Sequence, residues 1–185
     1  KWTFFNRNGG VVPNSQINTS AFRDITDLAV IGNAIPKYYL SLTNNFTYKG
    51  FDFRFFLRSK LDYDILNTTA LSYGNKNGVT NLNLLNSAFD KYAQLNDTYM
   101  YSDYYIERGS FVKLDEVTLG YTFKTGVKGI RTLRAYVTGQ NLATVTGYTG
   151  NDPDFVQDTG LNPGVDSRSP YPATRQFLFG VGFGF

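Results

Sequence analysis

Apolar and polar residues alternate strictly along several stretches of this chain. The clearest is the last one, Arg175 to Phe185: Phe177, Phe179, Val181, Phe183 and Phe185 fall on one side, and Gln176, Leu178, Gly180, Gly182 and Gly184 on the other. Successive side chains of an extended backbone point to opposite faces, so a period of two predicts a strand with one large apolar face. Four more stretches read the same way. Over 38–49, Tyr38, Leu40, Leu42, Phe46 and Tyr48 oppose Ser41, Thr43, Asn45 and Thr47. Over 51–61, Phe51, Phe53, Phe55 and Leu57 oppose Asp52, Arg54, Arg58 and Lys60. Over 111–123, Val117, Leu119, Tyr121 and Phe123 oppose Glu116, Thr118, Gly120 and Thr122. Over 131–141, Leu133, Ala135 and Val137 oppose Arg134, Tyr136, Thr138 and Gln140.

The connections alternate as well. Lys49-Gly50 is a two-residue hairpin turn, and KTGVKGI at 124–130 is a short Gly-rich one. The other two, near 62–110 and 142–174, are long. Short turns on one side and long loops on the other are the habit of outer-membrane barrels, whose short turns are periplasmic and long loops extracellular. This predicts an all-β fold, a transmembrane antiparallel barrel, with the final strand running inward to a periplasmic C-terminus. Tyr48, Phe51, Tyr121 and Phe123 then fall at the short-turn ends, where a periplasmic aromatic girdle is expected, and Phe183 and Phe185 join them. Arg54, Arg58, Lys60 and Arg134 sit on the polar faces, and long cations there suit a wet lumen better than a dry core. Within the first long loop, Leu82, Leu85, Phe89, Tyr92 and Leu95 recur at spacings of three and four, which predicts a helix. Residues 1–36 show little periodicity beyond a possible short strand at Trp2 to Phe5. Five strands cannot close a barrel, so we expect the chain to supply the last several strands of a longer one, with its export signal elsewhere or removed.

Composition narrows the chemistry. The 185 residues contain no Cys and no His, so disulfides, thiolate chemistry and the usual general base and zinc ligand are missing. No enzyme, cofactor or metal site is expected. Aromatics reach 17%, with 16 Phe and 14 Tyr, and Gly numbers 18. A mean hydropathy of −0.29 would suit a soluble protein, but barrel strands average apolar against polar and escape that test. The net charge is only +3, with cations scattered, so no nucleic-acid partner is expected.

Several runs resemble the barrel region of SusC/RagA-type TonB-dependent transporters of Bacteroidota. They are GNAIPKYYLSLTNNFTYKGFDFRFFLRSKLDYDILN (32–67), RGSFVKLDEVTLGYTF (108–123), AYVTGQNLATVTGYTGNDPDF (135–155) and the ending SPYPATRQFLFGVGFGF, which occur in the family's order. The resemblance implies a barrel of ~22 strands with a plugged lumen. It implies an outer-membrane protein that imports oligosaccharides or peptides, driven by TonB, under a SusD-like surface lipoprotein lid. The plug and the TonB-contacting segment have no counterpart here. Phe177, Phe179, Val181, Phe183 and Phe185 resemble the C-terminal signal read by the barrel-assembly machinery, and equally are the end of a lipid-facing strand.

Other motifs have plain alternatives. Asp152, Asp154, Asp158 and Asp166 could hold Ca²⁺, but their spacing fits no EF-hand and Pro153 and Pro163 interrupt them, which favours a solvated loop. Tyr99, Tyr101, Tyr104 and Tyr105 could stack on sugar rings or form a contact surface for the lid. The sequons at Asn18, Asn45, Asn67 and Asn96 are chance matches in an Asn- and Thr-rich sequence. Two further functions remain open beside import: a structural scaffold subunit of a larger outer-membrane machine, and a soluble carbohydrate-binding β-sandwich.

Overall fold

The computed structural model describes residues 1–78, 81, 83–155, 160–168, 171 and 173–185, with backbone alone at 78 and 155. Among the described residues ten strands occur in chain order: β1 (Thr3–Phe5), β2 (Val11–Pro13), β3 (Tyr38–Tyr48), β4 (Phe51–Leu61), β5 (Asp64–Asn67), β6 (Ile106–Arg108), β7 (Phe111–Lys124), β8 (Thr132–Thr146), β9 (Val165–Asp166) and β10 (Gln176–Gly184). One α-helix, α1 (Thr68–Tyr73), follows β5. The main sheet has the order β10-β8-β7-β4-β3, and every pairing in it is antiparallel, so neighbours in sequence are neighbours in space. Its strands run 9 to 15 residues, enough for the ~9–11 that cross a bilayer at a tilt. The sheet is open, with β3 and β10 at its edges.

Local chemistry sets this meander. Lys49 and Gly50 both have positive φ, 46° and 91°, the backbone of a type I′ turn whose twist matches the strands it joins. Register then aligns the apolar positions into rows. Tyr48, Phe51, Tyr121, Ala135 and Val181 are consecutive partners, and so are Phe46, Phe53, Leu119, Val137 and Phe179. The result is one apolar face across all five strands, on which Phe46, Tyr48, Phe51, Phe53, Phe123, Phe177, Phe179 and Phe183 are exposed and Phe55 and Tyr121 half-buried. The opposite face carries Asp52, Arg54, Glu116, Thr118, Thr138 and Gln140. A β-bulge interrupts the ladder at Asp115: Phe56 pairs with Glu116 while Leu57 pairs with Leu114. Alternation in β7 flips there, so Val112 and Leu114 continue the apolar face opened by odd-numbered residues further along.

The buried core lies beyond the sheet, at the end away from the short turns. Here β6, β5 and β9 form a small sheet in which β5 pairs antiparallel with β6 and parallel with β9. Tyr63, Ile65, Phe111 and Tyr148 make one buried cluster, and Ala70, Leu71, Tyr92, Leu95 and Tyr105 another, joined by Trp2 and Leu66. The Trp2 indole donates to the Thr98 carbonyl at 2.7 Å, which ties the β1–β2 hairpin to this cap.

Two sequence expectations need correction. The helix is not at the Leu85–Leu95 spacing. That stretch is a 3₁₀ turn, Asn86–Ala88, followed by further turns, with Leu85 and Phe89 exposed and Tyr92 and Leu95 buried; Leu82 lies outside the described residues. The stretch is rich in Asn, Ser and Asp, which compete with helical hydrogen bonds. The helix that does form starts where the Asn67 side chain accepts from Ala70 N at 2.8 Å. Second, β8 continues to Thr146, past the expected loop start at 142. Asn141, with φ 53°, kinks the strand without ending it.

Candidate functional site

The polar face of the main sheet is covered with ion pairs. Arg134 on β8 reaches across β7 to Asp52 on β4, with Nε 3.0 Å from Oδ1. The side chains meet over Gly120, where any Cβ would run into both Asp52 and Arg134. Glycine at 120 therefore makes room for a pair two strands apart. Arg54 lies 3.7 Å from Glu116. Further toward the cap, Arg58 pairs with Asp115, which the bulge aims at it, and with Asp154, Nη1 lying 2.8 Å from Oδ1. Lys113, only 3% exposed, donates to Asp152 at 2.9 Å and to Asp154 at 3.1 Å, and Lys60 lies 3.8 Å from Asp154. Arg58 and Lys113 also sit over the Phe111 ring, at 5.9 and 5.8 Å. Three cations of the sheet thus face three carboxylates, two of them carried inward by the turn at Asp152–Asp154. Burial works to raise the Asp154 carboxyl, but the hydrogen bond from Arg58 and the charge of Lys113 outweigh it and hold it at about 2.

A second carboxylate organises the cap. Glu107 is buried and accepts from Lys91 Nζ at 2.8 Å, Tyr92 OH at 3.0 Å, Thr149 N at 2.8 Å and Thr149 Oγ1 at 2.7 Å. Burial pushes against its ionisation, yet the hydrogen bonds from Lys91 and Thr149 prevail and lower its pKa. Asp166 accepts from Tyr148 OH, and burial raises its pKa. Asp152 and Asp154 are thus engaged by cations and Asp166 by a tyrosine, while Asp158 lies outside the described residues. Among the described residues no acidic set is arranged to hold a metal ion.

The sequence-selected residues separate by face. Arg54, Arg58, Lys60 and Arg134 share the polar face, each in an ion pair. Tyr48, Phe51 and Tyr121 are successive partners on the apolar face, with the Phe51 and Tyr121 rings 4.5 Å apart and Phe123 4.5 Å from Tyr121. Phe177, Phe179, Val181 and Phe183 line the exposed apolar side of β10, and Phe185 follows its end. The four tyrosines of the first long loop divide: Tyr105 is fully buried and packs with Tyr104 against Trp2 and Tyr92, whereas Tyr99 and Tyr101 are exposed. Sequence reasoning missed Asp52, Lys113, Asp115 and Glu107. Asp52 and Lys113 had a signal in their position beside apolar strand residues, but their partners lie 82 and 39 residues away.

No family model matches the chain. The TonB-dependent receptor P3 of Formosa agariphila is 30% identical over 93% of the chain, and the TonB-dependent receptor SusC of Bacteroides thetaiotaomicron 30% over 98%. The chain belongs to the SusC/RagA-type TonB-dependent transporters. It spans 18% of the length of each of these two relatives. The relatives are receptors and transporters, not enzymes. The fold agrees: the RagAB peptide importer in its closed-closed state superposes with a TM-score of 0.74 over 98% of this chain and 20% of that one, at 20% identity. Its open-open state gives 0.73 over 97% of the chain, at 18% identity.

Proposed function

We propose that this segment is part of the wall and extracellular cap of an outer-membrane barrel that imports nutrient oligomers, oligosaccharides or peptides, with energy from TonB. The observation that carries the reading is the pairing of faces on one sheet: a continuous exposed aromatic and aliphatic face, and an ion-paired polar face opposite. Lipid suits the first and a water-filled lumen the second. In this reading β3 and β10 are not true edges. Each pairs with strands elsewhere in a barrel of ~22 strands, because an open edge would leave unsatisfied backbone groups in lipid.

Tyr48, Phe51, Tyr121 and Phe123 then form the periplasmic girdle, and Arg54, Arg58, Lys60 and Arg134 face the lumen. The apolar side of β10, from Phe177 to Phe185, serves both lipid contact and recognition by the barrel-assembly machinery. The cap lies on the extracellular side, where a SusD-like lipoprotein closes over it. The likeness to SusC and to the RagAB peptide importer supports these assignments.

Gene deletion in the native bacterium, followed by uptake of labelled oligosaccharides and peptides, tests the function. Loss of uptake for one class, restored by the full-length gene, is expected. Intact uptake with a disturbed outer membrane would overturn it in favour of the scaffold role.

A further inference from the structure

The short-turn end of the main sheet carries four exposed cations: Lys49 in the first turn, and Lys124, Lys128 and Arg131 around the second. No Asp or Glu occurs in residues 48–51, 121–133 or 181–185, the stretches that make up this rim. Among the described residues none of the four pairs with a carboxylate. The far end of the sheet differs. There Lys37 pairs with Asp62, Arg108 with Asp62 and Asp64, and Lys113 with Asp152 and Asp154. The rim therefore concentrates positive charge in a chain whose whole net charge is only +3. Backbone hydrogen bonds hold the rim together: Thr122 N donates to Gly50 O at 2.8 Å, Thr125 N to Arg131 O at 3.1 Å, and Arg131 N to Gly184 O at 2.7 Å.

Two of these cations lie on the side of the apolar face and a third at a turn tip. The Lys49 ammonium sits over the Tyr48 ring, 5.2 Å from its centroid, and Tyr48 belongs to the apolar face. Arg131 precedes Leu133 by two residues, and its backbone continues the β7–β8 ladder, so alternation puts it on the apolar side. Lys128 is central in the turn closed by Ile130 N on Val127 O, beside Val127, which is itself exposed. Lys124 pairs with Thr132 and falls on the polar side with Thr122. Cations just beyond an aromatic-edged apolar band are placed to meet phosphate at headgroup depth while their stems stay against apolar surface. We propose that Lys49, Lys128 and Arg131 form a docking surface for anionic phospholipid headgroups in the leaflet at the short-turn end; the proposal rests on the membrane reading above. The two turns, of two and seven residues, reach little past the wall, which favours lipid over a polymer further out. Each basic residue near an anionic surface adds to retention, and the effect falls off within a Debye length.

Photo-cross-linking tests it. The full-length protein is reconstituted into phosphatidylcholine vesicles doped with either phosphatidylglycerol or phosphatidylcholine carrying a photoreactive group near the headgroup, and the labelled peptides are mapped. Over residues 48–51 and 121–133, phosphatidylglycerol is expected to label about threefold to tenfold more than phosphatidylcholine at low salt, with the preference shrinking at high salt. Lys49→Asn keeps the turn, since Asn-Gly suits type I′. This variant, Lys128→Gln and Arg131→Gln each reduce the preference about twofold, and the triple variant brings it close to parity. Lys124→Gln, on the other side of the wall, leaves it unchanged. Equal labelling by the two lipids, a preference untouched by the triple variant, or an equal loss in Lys124→Gln overturns the docking surface and keeps the membrane reading. Abolition of the preference by inorganic phosphate at constant ionic strength assigns the cations to a free anion and overturns it too, as does co-sedimentation with isolated peptidoglycan that needs the three cations while the lipids label alike. Absence of labelling by either lipid along the apolar side of β10 overturns the membrane reading itself.

Discussion

Phe179 on the main sheet is 82% exposed, while Tyr105 in the cap is completely buried, although both are aromatic side chains in β-rich surroundings. The sheet and the cap handle apolar surface in opposite ways. In the cap, Tyr63, Tyr92, Tyr105 and Tyr148 turn inward with Ile65, Leu71 and Leu95, and most of the polar atoms buried there have partners: Tyr92 on Glu107, Tyr148 on Asp166, Asn67 on Ala70 N. That is the pattern of a domain surrounded by water. In the sheet the aromatics turn outward and charge lies on the other side. Such a sheet in water would expose an apolar patch far beyond the few hundred Å² that soluble proteins tolerate. On the function proposed above, the difference is that of one chain facing two solvents, lipid beside the sheet and water around the cap.

The sharpest way to break this comparison is to exchange the two faces at adjacent residues. Val117 lies on the apolar face between Phe55 and Gly139, near mid-strand, and Thr118 lies on the polar face, 2.8 Å from Thr138. Val117→Arg is expected to cost ~2–4 kcal/mol, as an arginine at the bilayer midplane does. Thr118→Arg should cost under about 1 kcal/mol, because its charge enters an ion-paired, wet surface. Urea titration of the full-length protein folded into phospholipid vesicles measures both. Equal costs would mean that the two faces do not see different solvents.

The sheet was legible in the sequence and the cap was not, for a physical reason. A strand with one apolar and one polar face writes its environment into every second residue, so the alternation at 38–49 and 51–61 lies within one residue of the strands Tyr38–Tyr48 and Phe51–Leu61. It failed where geometry departed from the period. At Asn141 the kink hid the last part of β8, and at Asp115 the bulge shifted the face of Val112 and Leu114. The cap's contacts are long-range: Arg58 meets Asp154 from 96 residues away, and Glu107 meets Thr149 from 42. No local pattern pairs such residues. The helical spacing of Leu82, Leu85, Phe89, Tyr92 and Leu95 was a false period: of the four within the described residues, Tyr92 and Leu95 are buried while Leu85 and Phe89 are exposed.

A smaller effect is expected where sheet and cap join. Asp154→Asn leaves Lys113 with Asp152 alone and removes the second carboxylate from Arg58, a loss of about 1–3 kcal/mol confined to the Asp152–Asp154 turn. Hydrogen exchange at that turn should rise while protection in β3 and β4 holds. Acid gives a parallel readout. The Asp154 pKa is depressed to about 2, so its stabilisation is complete above the ordinary carboxylate range of ~4 and is lost as pH falls toward 2. Glu107, also lowered, acts in the same direction, and Asp166, raised, acts against both by favouring the fold once protonated. Tyrosine fluorescence of the cap should therefore report its loosening between about pH 4 and pH 2, with a shallower transition in Asp154→Asn.

The smallest change should distinguish two tyrosines within the cap itself. Tyr92 and Tyr105 are both buried, with ring centroids 5.4 Å apart. Tyr92 OH donates to Glu107, whereas Tyr105 OH is buried without a hydrogen-bond partner among the described residues, and its burial pushes its pKa up to about 12. Removing a satisfied hydroxyl forfeits a hydrogen bond to a charged group, about 1.5–3 kcal/mol, and leaves Glu107 one donor short. Removing an unsatisfied one relieves a desolvation penalty. Tyr92→Phe should therefore lower the cap's resistance to proteolysis, and Tyr105→Phe should leave it unchanged or raise it, by up to about 1 kcal/mol. A loss in Tyr105→Phe as large as in Tyr92→Phe would show that the Tyr105 hydroxyl has a partner in solution, such as a trapped water. The cap would then be wetter inside than its packing implies, and its contrast with the sheet would be one of side-chain direction more than of dryness.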